Sequence, residues 1–229
     1  MQLKDIIAEL KSMGNPEAAV GMAQYGINTE QALGISIPRL QGLAKNIGKN
    51  HKLAGELWSC GIHVARILAC MIDDPQQIVE AQLERWVKEF DSWDLCDQCC
   101  NRLFRKSEFA YQKALAWACR PDEFVKRAGF VLMAVLAVHA KNAADRQFDP
   151  FFELIKKEAA DRRNFVKKAV NWALRQIGKR NLALNKKAIS VAEEIQQNPS
   201  KAARWVAKDA LRELRSEKVQ KRLSGLLNR

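Results

Sequence analysis

Apolar residues recur every three or four positions along most of the chain, with polar residues between them. This spacing gathers the apolar side chains on one face of a helix, whereas a half-buried strand needs strict alternation. No run rich in Val, Ile and Thr alternates in that way. Pairs such as Asp74-Pro75 and Asp149-Pro150 are typical of one helix ending and another beginning. The pattern therefore predicts an all-α protein.

The apolar runs, bounded by prolines and glycines, predict a succession of helices joined by short turns. Their expected positions are near residues 2–13, 16–26, 38–49, 51–59, 62–72, 77–90, 93–105, 108–119, 122–140, 148–159, 163–180, 184–197, 200–214 and 216–227. No linker or low-complexity tract interrupts this series. Residues 1–229 are therefore expected to form a single domain.

The second half of the chain contains an internal repeat. The segment FVKRAGFVLMAVLA from Phe124 is echoed by FVKKAVNWALRQIG from Phe165, and more weakly by WVAKDALREL from Trp205, at offsets of 41 and 40 residues. This period matches the helix pairs of HEAT and armadillo proteins, in which neighbouring pairs bury each other's apolar faces. We predict a curved solenoid of HEAT-like antiparallel helix pairs. An irregular helical bundle is the alternative.

The charge balance points to a polyanionic partner. Lys and Arg number 38 against 26 Asp and Glu, which gives a formal net charge of +12. Nucleic acid is the first candidate and an acidic membrane surface the second. No stretch approaches the roughly 20 apolar residues that cross a bilayer, and the first residues predict an amphipathic helix rather than a signal peptide. We expect a cytoplasmic protein, associated with the nucleoid when it is bound to DNA.

The cysteines and histidines form no metal-site pattern. Cys96 and Cys99 make a CxxC, but a structural zinc site needs two further ligands, which no second CxxC or nearby His supplies. No HExxH, GxxxxGK[ST], GxGxxG or GxSxG occurs. A chain of this size can build a core without disulfides. We therefore expect neither a metal nor a cofactor, and six reduced thiols: Cys60, Cys70, Cys96, Cys99, Cys100 and Cys119.

The predicted helix 163–180 combines an apolar face with a basic stripe. Its stripe consists of Lys168, Trp172, Arg175 and Lys179, at positions i, i+4, i+7 and i+11. The cations can pair with phosphates, and the indole can stack on a base or a deoxyribose. The alternative is a solvated basic face with a Trp at the edge of the core.

A second candidate site lies in DSWDLCDQCCNRLF, residues 91–104. Asp91 or Ser92 can cap this helix, and Trp93 and Asp97 lie one turn apart on the same face. An aromatic face beside a carboxylate suits a cation, because the ring quadrupole and the formal charge both attract it. The alternative is a core Trp next to a surface Asp.

Five segments of the chain together carry a resemblance to known proteins. They are MAQY at 22–25, LGISIPRL at 33–40, SWDLCD at 92–97, FVKRA at 124–128 and KKAVNWALRQIGK at 167–179. With these segments the chain resembles the AlkD-like DNA alkylation repair proteins, a family of HEAT-like DNA glycosylases that excise positively charged N3- and N7-alkylated purines. Their order and spacing agree with the family as well as their letters do.

The resemblance implies a set of site residues. The catalytic residues are expected to be Trp93, Asp97 and Trp172, with the two indoles flanking the deoxyribose and the carboxylate stabilising an oxocarbenium ion and positioning water. The resemblance also implies that the target base is not buried in a pocket, and that no lysine is placed for lyase chemistry. The expected DNA-binding residues are Tyr25, Arg127 on the lesion-strand phosphate, and Arg175, joined by Lys168 and Lys179 of the basic stripe.

The leading hypothesis is therefore a monofunctional, cofactor-free DNA glycosylase whose partner is double-stranded DNA with alkylated bases. We expect it to act as a monomer. A non-catalytic binder of damaged or branched DNA would use the same residues. A protein-binding HEAT scaffold is the third hypothesis, but its concave surface should be apolar or acidic rather than lined by Lys168, Arg175 and Lys179.

Overall fold

The computed structural model of the chain describes residues 2–225, and within that range it contains α-helices and two 3-10 turns but no strand. The predicted all-α fold is confirmed. The helices are α1 (Leu3–Ser12), α2 (Pro16–Ala23), α3 (Ile37–Ile47), α4 (His51–Ser59), α5 (His63–Ile72), α6 (Glu80–Lys88), α7 (Trp93–Arg102), α8 (Ala110–Ala118), α9 (Glu123–His139), α10 (Asp149–Glu158), α11 (Asn164–Gly178), α12 (Leu182–Gln196), α13 (Lys201–Leu214) and α14 (Glu217–Leu223). The 3-10 turns are Phe104–Lys106 and Asp145–Phe148.

The observed helix bounds differ from the predicted ones mainly at the ends. Helix α12 begins two residues earlier than predicted, because the Asn181 side chain accepts a hydrogen bond from the Leu184 backbone N–H and so caps the helix. The predicted helix 93–105 ends at Arg102 and is followed by a 3-10 turn. Residues 226 and 227 of the last predicted helix lie outside the described residues, as do residues 1, 228 and 229 of the predicted domain.

The chain forms two compact units, Met1–Phe109 (unit 1) and Ala110–Arg229 (unit 2). In unit 1, α5 packs against α3, α4 and α7. The Trp58 and Trp86 rings stack with centroids 4.0 Å apart, and the Trp58 indole N–H donates to the Glu89 carboxylate at 2.9 Å. Arg66 lies over the Trp58 ring and pairs with Glu89 at 3.0 Å. The core of unit 1 thus includes two stacked indoles, of which Trp58 has its polar N–H hydrogen-bonded.

The prediction of six reduced thiols is wrong for two of them, because Cys70 on α5 and Cys99 on α7 form a disulfide. Packing of α5 on α7 brings their Cα atoms to 5.2 Å, which is within the range that a disulfide can span. Cys96 and Cys100 are buried. The sequence could not show this pairing, since the two positions are separated by 29 residues and only the helix packing makes them neighbours.

Unit 2 is built around α9, whose residues 125–137 are all buried. All of these residues except Lys126 and Arg127 are apolar, and a helix of this kind must be covered on most sides. Helices α8 and α11 both pack on α9. Gly129 permits a close approach of α8: a Cβ atom at this position would lie 2.4 Å from the Ala118 backbone nitrogen. This glycine therefore fixes how closely α8 can approach α9.

The sequence repeat of unit 2 is also a structural repeat. The repeated segments start at the second residue of α9 and of α11 and at the fifth residue of α13, and α11 packs against both of the other helices. The rings of the repeat-opening residues Phe124 and Phe165 lie 5.6 Å apart. The Lys167 ammonium lies 4.7 Å from the ring centroid of Trp205, which opens the third copy. Each repeated aromatic residue thus meets a side chain of the neighbouring copy.

Candidate nucleic-acid interface

In unit 1, helix α7 begins with the two residues that the sequence singled out. Trp93 and Asp97 lie one turn apart, and both are partly exposed. Ser92 occupies the N-cap position and is fully buried, but its side chain makes no capping hydrogen bond. The Trp93 indole N–H instead donates to the Tyr25 backbone carbonyl at 2.9 Å. The tryptophan is therefore held by a residue 68 positions earlier in the chain.

The segment after α2 lies against the start of α7. The Asn28 amide donates to the Asp91 carboxylate at 2.9 Å, and the His63 backbone N–H donates to the Gln31 carbonyl at 3.3 Å. The Tyr25 side chain is 70% exposed. The structure therefore brings together Tyr25 and Trp93, and leaves the phenol accessible.

A buried pair that the sequence did not reveal lies under the first turn of α7. His63 Nε2 lies 2.9 Å from Asp94 Oδ2, and His63 is only 5% exposed. Burial opposes ionisation of the Asp94 carboxyl, but the hydrogen bond and the charge of His63 outweigh it and lower the pKa. A carboxylate in the first turn also interacts favourably with the positive end of the helix dipole. This pair ties α5 to the turn that presents Trp93.

In unit 2, Arg127 is mostly buried, although the sequence predicts that it contacts a phosphate. It is only 5% exposed, and its guanidinium donates to the Phe165 backbone carbonyl at 2.6 Å. Since the Phe165 carbonyl belongs to the first turn of α11, Arg127 links α9 to α11. Its predicted phosphate contact stays a prediction, and it could use only a small part of the guanidinium.

The residues of the basic stripe on α11 differ in whether they face solvent or pair with a carboxylate. Lys168 is exposed and Trp172 partly exposed. By contrast, Arg175 and Lys179 each bind the Glu213 carboxylate on α13 at 2.6 Å. Burial of Glu213 opposes its ionisation, but the Lys179 and Arg175 cations outweigh that effect and lower its pKa. The carboxylate is thus ionised at neutral pH and compensates part of the charge that the sequence assigned to phosphates.

The predicted site residues fall in both units. Tyr25, Trp93 and Asp97 belong to unit 1, whereas Arg127, Lys168, Trp172, Arg175 and Lys179 belong to unit 2. Within residues 2–225, no group of three or more His, Cys, Asp or Glu side chains could hold a metal ion. The same residues contain no helix long and apolar enough to span a bilayer.

Comparison with known proteins identifies the family and the fold. A family model described as DNA alkylation repair enzyme matches residues 6–214. A solved structure described as a new family of proteins related to the HEAT-like repeat DNA glycosylases, with affinity for branched DNA structures, has a TM-score of 0.77 at 22% identity. The match covers 91% of this chain and 94% of that chain. The predicted HEAT-like helix-pair fold is therefore confirmed.

A designed armadillo repeat protein is a more distant neighbour, with a TM-score of 0.35 and 17% identity over 76% of this chain and 91% of that chain. No curated protein sequence matches the chain.

Proposed function

Because the chain belongs to the DNA alkylation repair enzyme family, we propose that it is a monofunctional DNA glycosylase for purines carrying a positive charge after N3 or N7 alkylation. The supporting observation is the start of α7, where Trp93 and Asp97 lie one turn apart and Trp93 is fixed by the Tyr25 carbonyl. A fixed indole beside a carboxylate is preorganised to stabilise a cation.

The chemistry requires little acid catalysis, because the alkylated purine is already cationic. When the bond between C1′ and the purine nitrogen breaks, the bonding electrons neutralise the departing base and leave positive charge on the sugar. The Asp97 carboxylate stabilises that oxocarbenium ion, and water then attacks C1′ and loses a proton. Trp93 stabilises the same charge through its π-face. Trp172 is proposed as a third residue required for base release.

Cations of unit 2 are proposed to bind the DNA backbone. Lys168 is exposed and can neutralise a phosphate directly. Arg127, Arg175, Lys179 and Tyr25 complete the proposed DNA-binding set. We further propose that the partner is double-stranded DNA carrying alkylated bases, bound by a monomer in the cytoplasm and at the nucleoid.

A base-release assay tests the catalytic proposal. Duplex DNA containing N7-methylguanine is incubated with the protein and free base is quantified over time. Asp97→Asn should slow release by roughly 10²–10³-fold, since it removes a charge aimed at the transition state. Trp93→Ala, Trp172→Ala and Arg127→Ala should also lose activity.

The matched control is Asp122→Asn, which makes the same chemical change at an exposed position before α9. It should release base at the wild-type rate. Wild-type release no faster than that of Asp97→Asn would sink the catalytic proposal, provided that both proteins show the same thermal unfolding midpoint.

Non-catalytic binding of branched DNA is the second candidate function. It is motivated by the solved structure with a TM-score of 0.77, which is described as having affinity for branched DNA structures. This function predicts tighter binding of a four-way junction than of a linear duplex of equal length, without base release. Asp97→Asn should leave that preference intact, because binding would not use the carboxylate. Equal affinity for both DNAs would contradict it.

A further inference from the structure

A basic cleft in unit 2 contains neither Trp93 nor Asp97 nor any residue of the basic stripe among its lining residues. It lies where α11 and α13 begin, has a volume of about 630 Å³, and is lined by Trp205, Arg162, Lys167 and Lys201 together with residues of the turn before α13. We call it the Trp205 cleft. No acidic side chain is among those lining it. Its composition therefore combines an aromatic surface with an uncompensated positive charge.

Trp205 is more exposed than packing of the repeat requires. It is 41% exposed, although it occupies the position at which Phe124 and Phe165 contact each other. The Lys167 ammonium lies 4.7 Å from its ring centroid, a cation–π geometry. The sequence repeat accounts for an aromatic residue at position 205 of α13, but not for the exposure of so much of the indole to solvent. The part of the indole that Lys167 does not cover is a surface on which another ring can stack.

The cations of the Trp205 cleft are available to a ligand. Arg162 and Lys201 are exposed, and the ion pairs described among residues 2–225 do not include Arg162, Lys167 or Lys201. The side chain of Ser200, the N-cap residue of α13, makes no capping hydrogen bond. The first backbone N–H groups of this helix are therefore not used by the cap. Anions are favoured at such a place by charge and by hydrogen bonding together.

We propose that the Trp205 cleft binds an unpaired nucleotide of a DNA strand, with its base stacked on the indole and its phosphate between Arg162 and Lys201. Bases within a duplex are already stacked on their neighbours, so the face of a ring is accessible only where a strand is unpaired. The cleft should therefore distinguish unpaired from paired nucleotides, and not one base from another. It adds to the proposed function a second DNA site, which contains none of the residues of the glycosylase proposal.

The test compares two DNAs that differ only in a single-stranded end. A fluorescein-labelled duplex with a short oligothymidine overhang and the same duplex with blunt ends are titrated with the full chain, and binding is followed by anisotropy. The wild-type protein should prefer the overhang. Trp205→Ala should weaken overhang binding by roughly tenfold, the effect of losing one stacked base, and leave blunt binding unchanged. Trp205→Phe should keep most of the preference, because it keeps an aromatic face.

The charge arm uses Lys201→Glu and, as its matched control, Lys186→Glu. Lys186 is exposed on α12 and does not line the cleft, so both variants change the net charge of unit 2 equally. Lys201→Glu should reduce overhang binding more than the control does, and should flatten its salt dependence by about one phosphate contact. Equal effects of the two variants would show that only net charge matters and would overturn the proposal.

Failure of this proposal differs from failure of the proposed function. Trp205→Ala should release N7-methylguanine from blunt DNA at the wild-type rate, and Asp97→Asn should keep the overhang preference. A protein that releases no base but shows the Trp205-dependent preference would sink the glycosylase proposal alone. A Trp205→Ala variant with the wild-type unfolding midpoint that binds both DNAs as tightly as the wild type would overturn the Trp205 cleft as a nucleotide site.

Discussion

Glu213 determines how much of the positive charge on α11 is available to a phosphate. Its carboxylate accepts from both Arg175 and Lys179 at 2.6 Å. The sequence showed the cations because they follow the helical period, but it could not show their counter-charge, which lies 34 and 38 residues further on and meets them only through packing of α11 on α13. The number of basic residues along a helix, counted from the sequence, therefore overestimates the positive charge that the folded helix can offer to a ligand.

Substituting Glu213 by Gln should increase DNA affinity if Arg175 and Lys179 contact phosphates. The variant keeps the shape of the side chain but removes the carboxylate that pairs with both cations, while Asp209 remains 3.6 Å from Arg175. We expect binding of a plain duplex to become several-fold tighter, with a steeper dependence of log affinity on log salt, by up to about 0.9 per released cation. A fluorescence titration at several NaCl concentrations measures both quantities.

The matched control for this variant is Glu217→Gln on α14, which frees Lys221 and changes the net charge equally. If the two variants raise affinity by the same factor, total charge explains the result and Arg175 and Lys179 are not DNA contacts. If only Glu213→Gln raises the affinity, the cations released on α11 are the ones that contact DNA.

The sequence predicted the helices well, because the spacing of apolar residues and the positions of prolines are local features that determine where a helix begins and ends. The predicted helix 51–59 coincides with α4, and the predicted helix 122–140 contains α9. The partners of each helix were not predictable in the same way. The Cys70–Cys99 disulfide and the His63–Asp94 pair both join α5 to α7, and both depend on a packing that local patterns do not encode.

Gly129 should be among the least replaceable residues of α9. In Gly129→Ala the new Cβ would meet backbone atoms of Ala118 and Trp117, with the nearest at 2.4 Å, and backbone cannot move aside as the end of a side chain can. Alanine is the better helix former by about 1 kcal/mol, yet the forced separation of α8 and α9 should outweigh this gain. We expect a net loss of roughly 1–3 kcal/mol in the free energy of unfolding.

Gly42→Ala on α3 and Gly55→Ala on α4 are controls, since a Cβ atom at either position meets nothing within 4 Å. Each should be neutral or stabilising, by up to about 1 kcal/mol. Urea unfolding of the three variants measures the difference. A Gly129→Ala protein as stable as Gly42→Ala would show that α8 and α9 are not held at this distance.

For the molecule as a whole, the net charge is concentrated in unit 2. Unit 1 contains 12 Lys and Arg against 14 Asp and Glu, whereas unit 2 contains 26 against 12. The formal charge of +12 suggested a polyanionic partner for the chain as a whole, but the two units differ in the sign of their charge. The residues proposed for catalysis on α7 therefore belong to a slightly acidic unit, and the proposed backbone contacts to a strongly basic one.

This distribution predicts that cations of unit 2 dominate the electrostatic part of DNA binding. Each phosphate contact contributes about −0.9 to the slope of log affinity against log salt, so four contacts would weaken binding about tenfold when NaCl rises from 100 to 200 mM. Lys168→Glu should lower affinity and reduce the slope by about one contact. Lys45→Glu makes the same charge change at an exposed position of α3 in unit 1 and should do neither. Equal losses in the two variants would mean that DNA responds to total charge alone, and an affinity independent of salt would exclude phosphate contacts as the basis of binding.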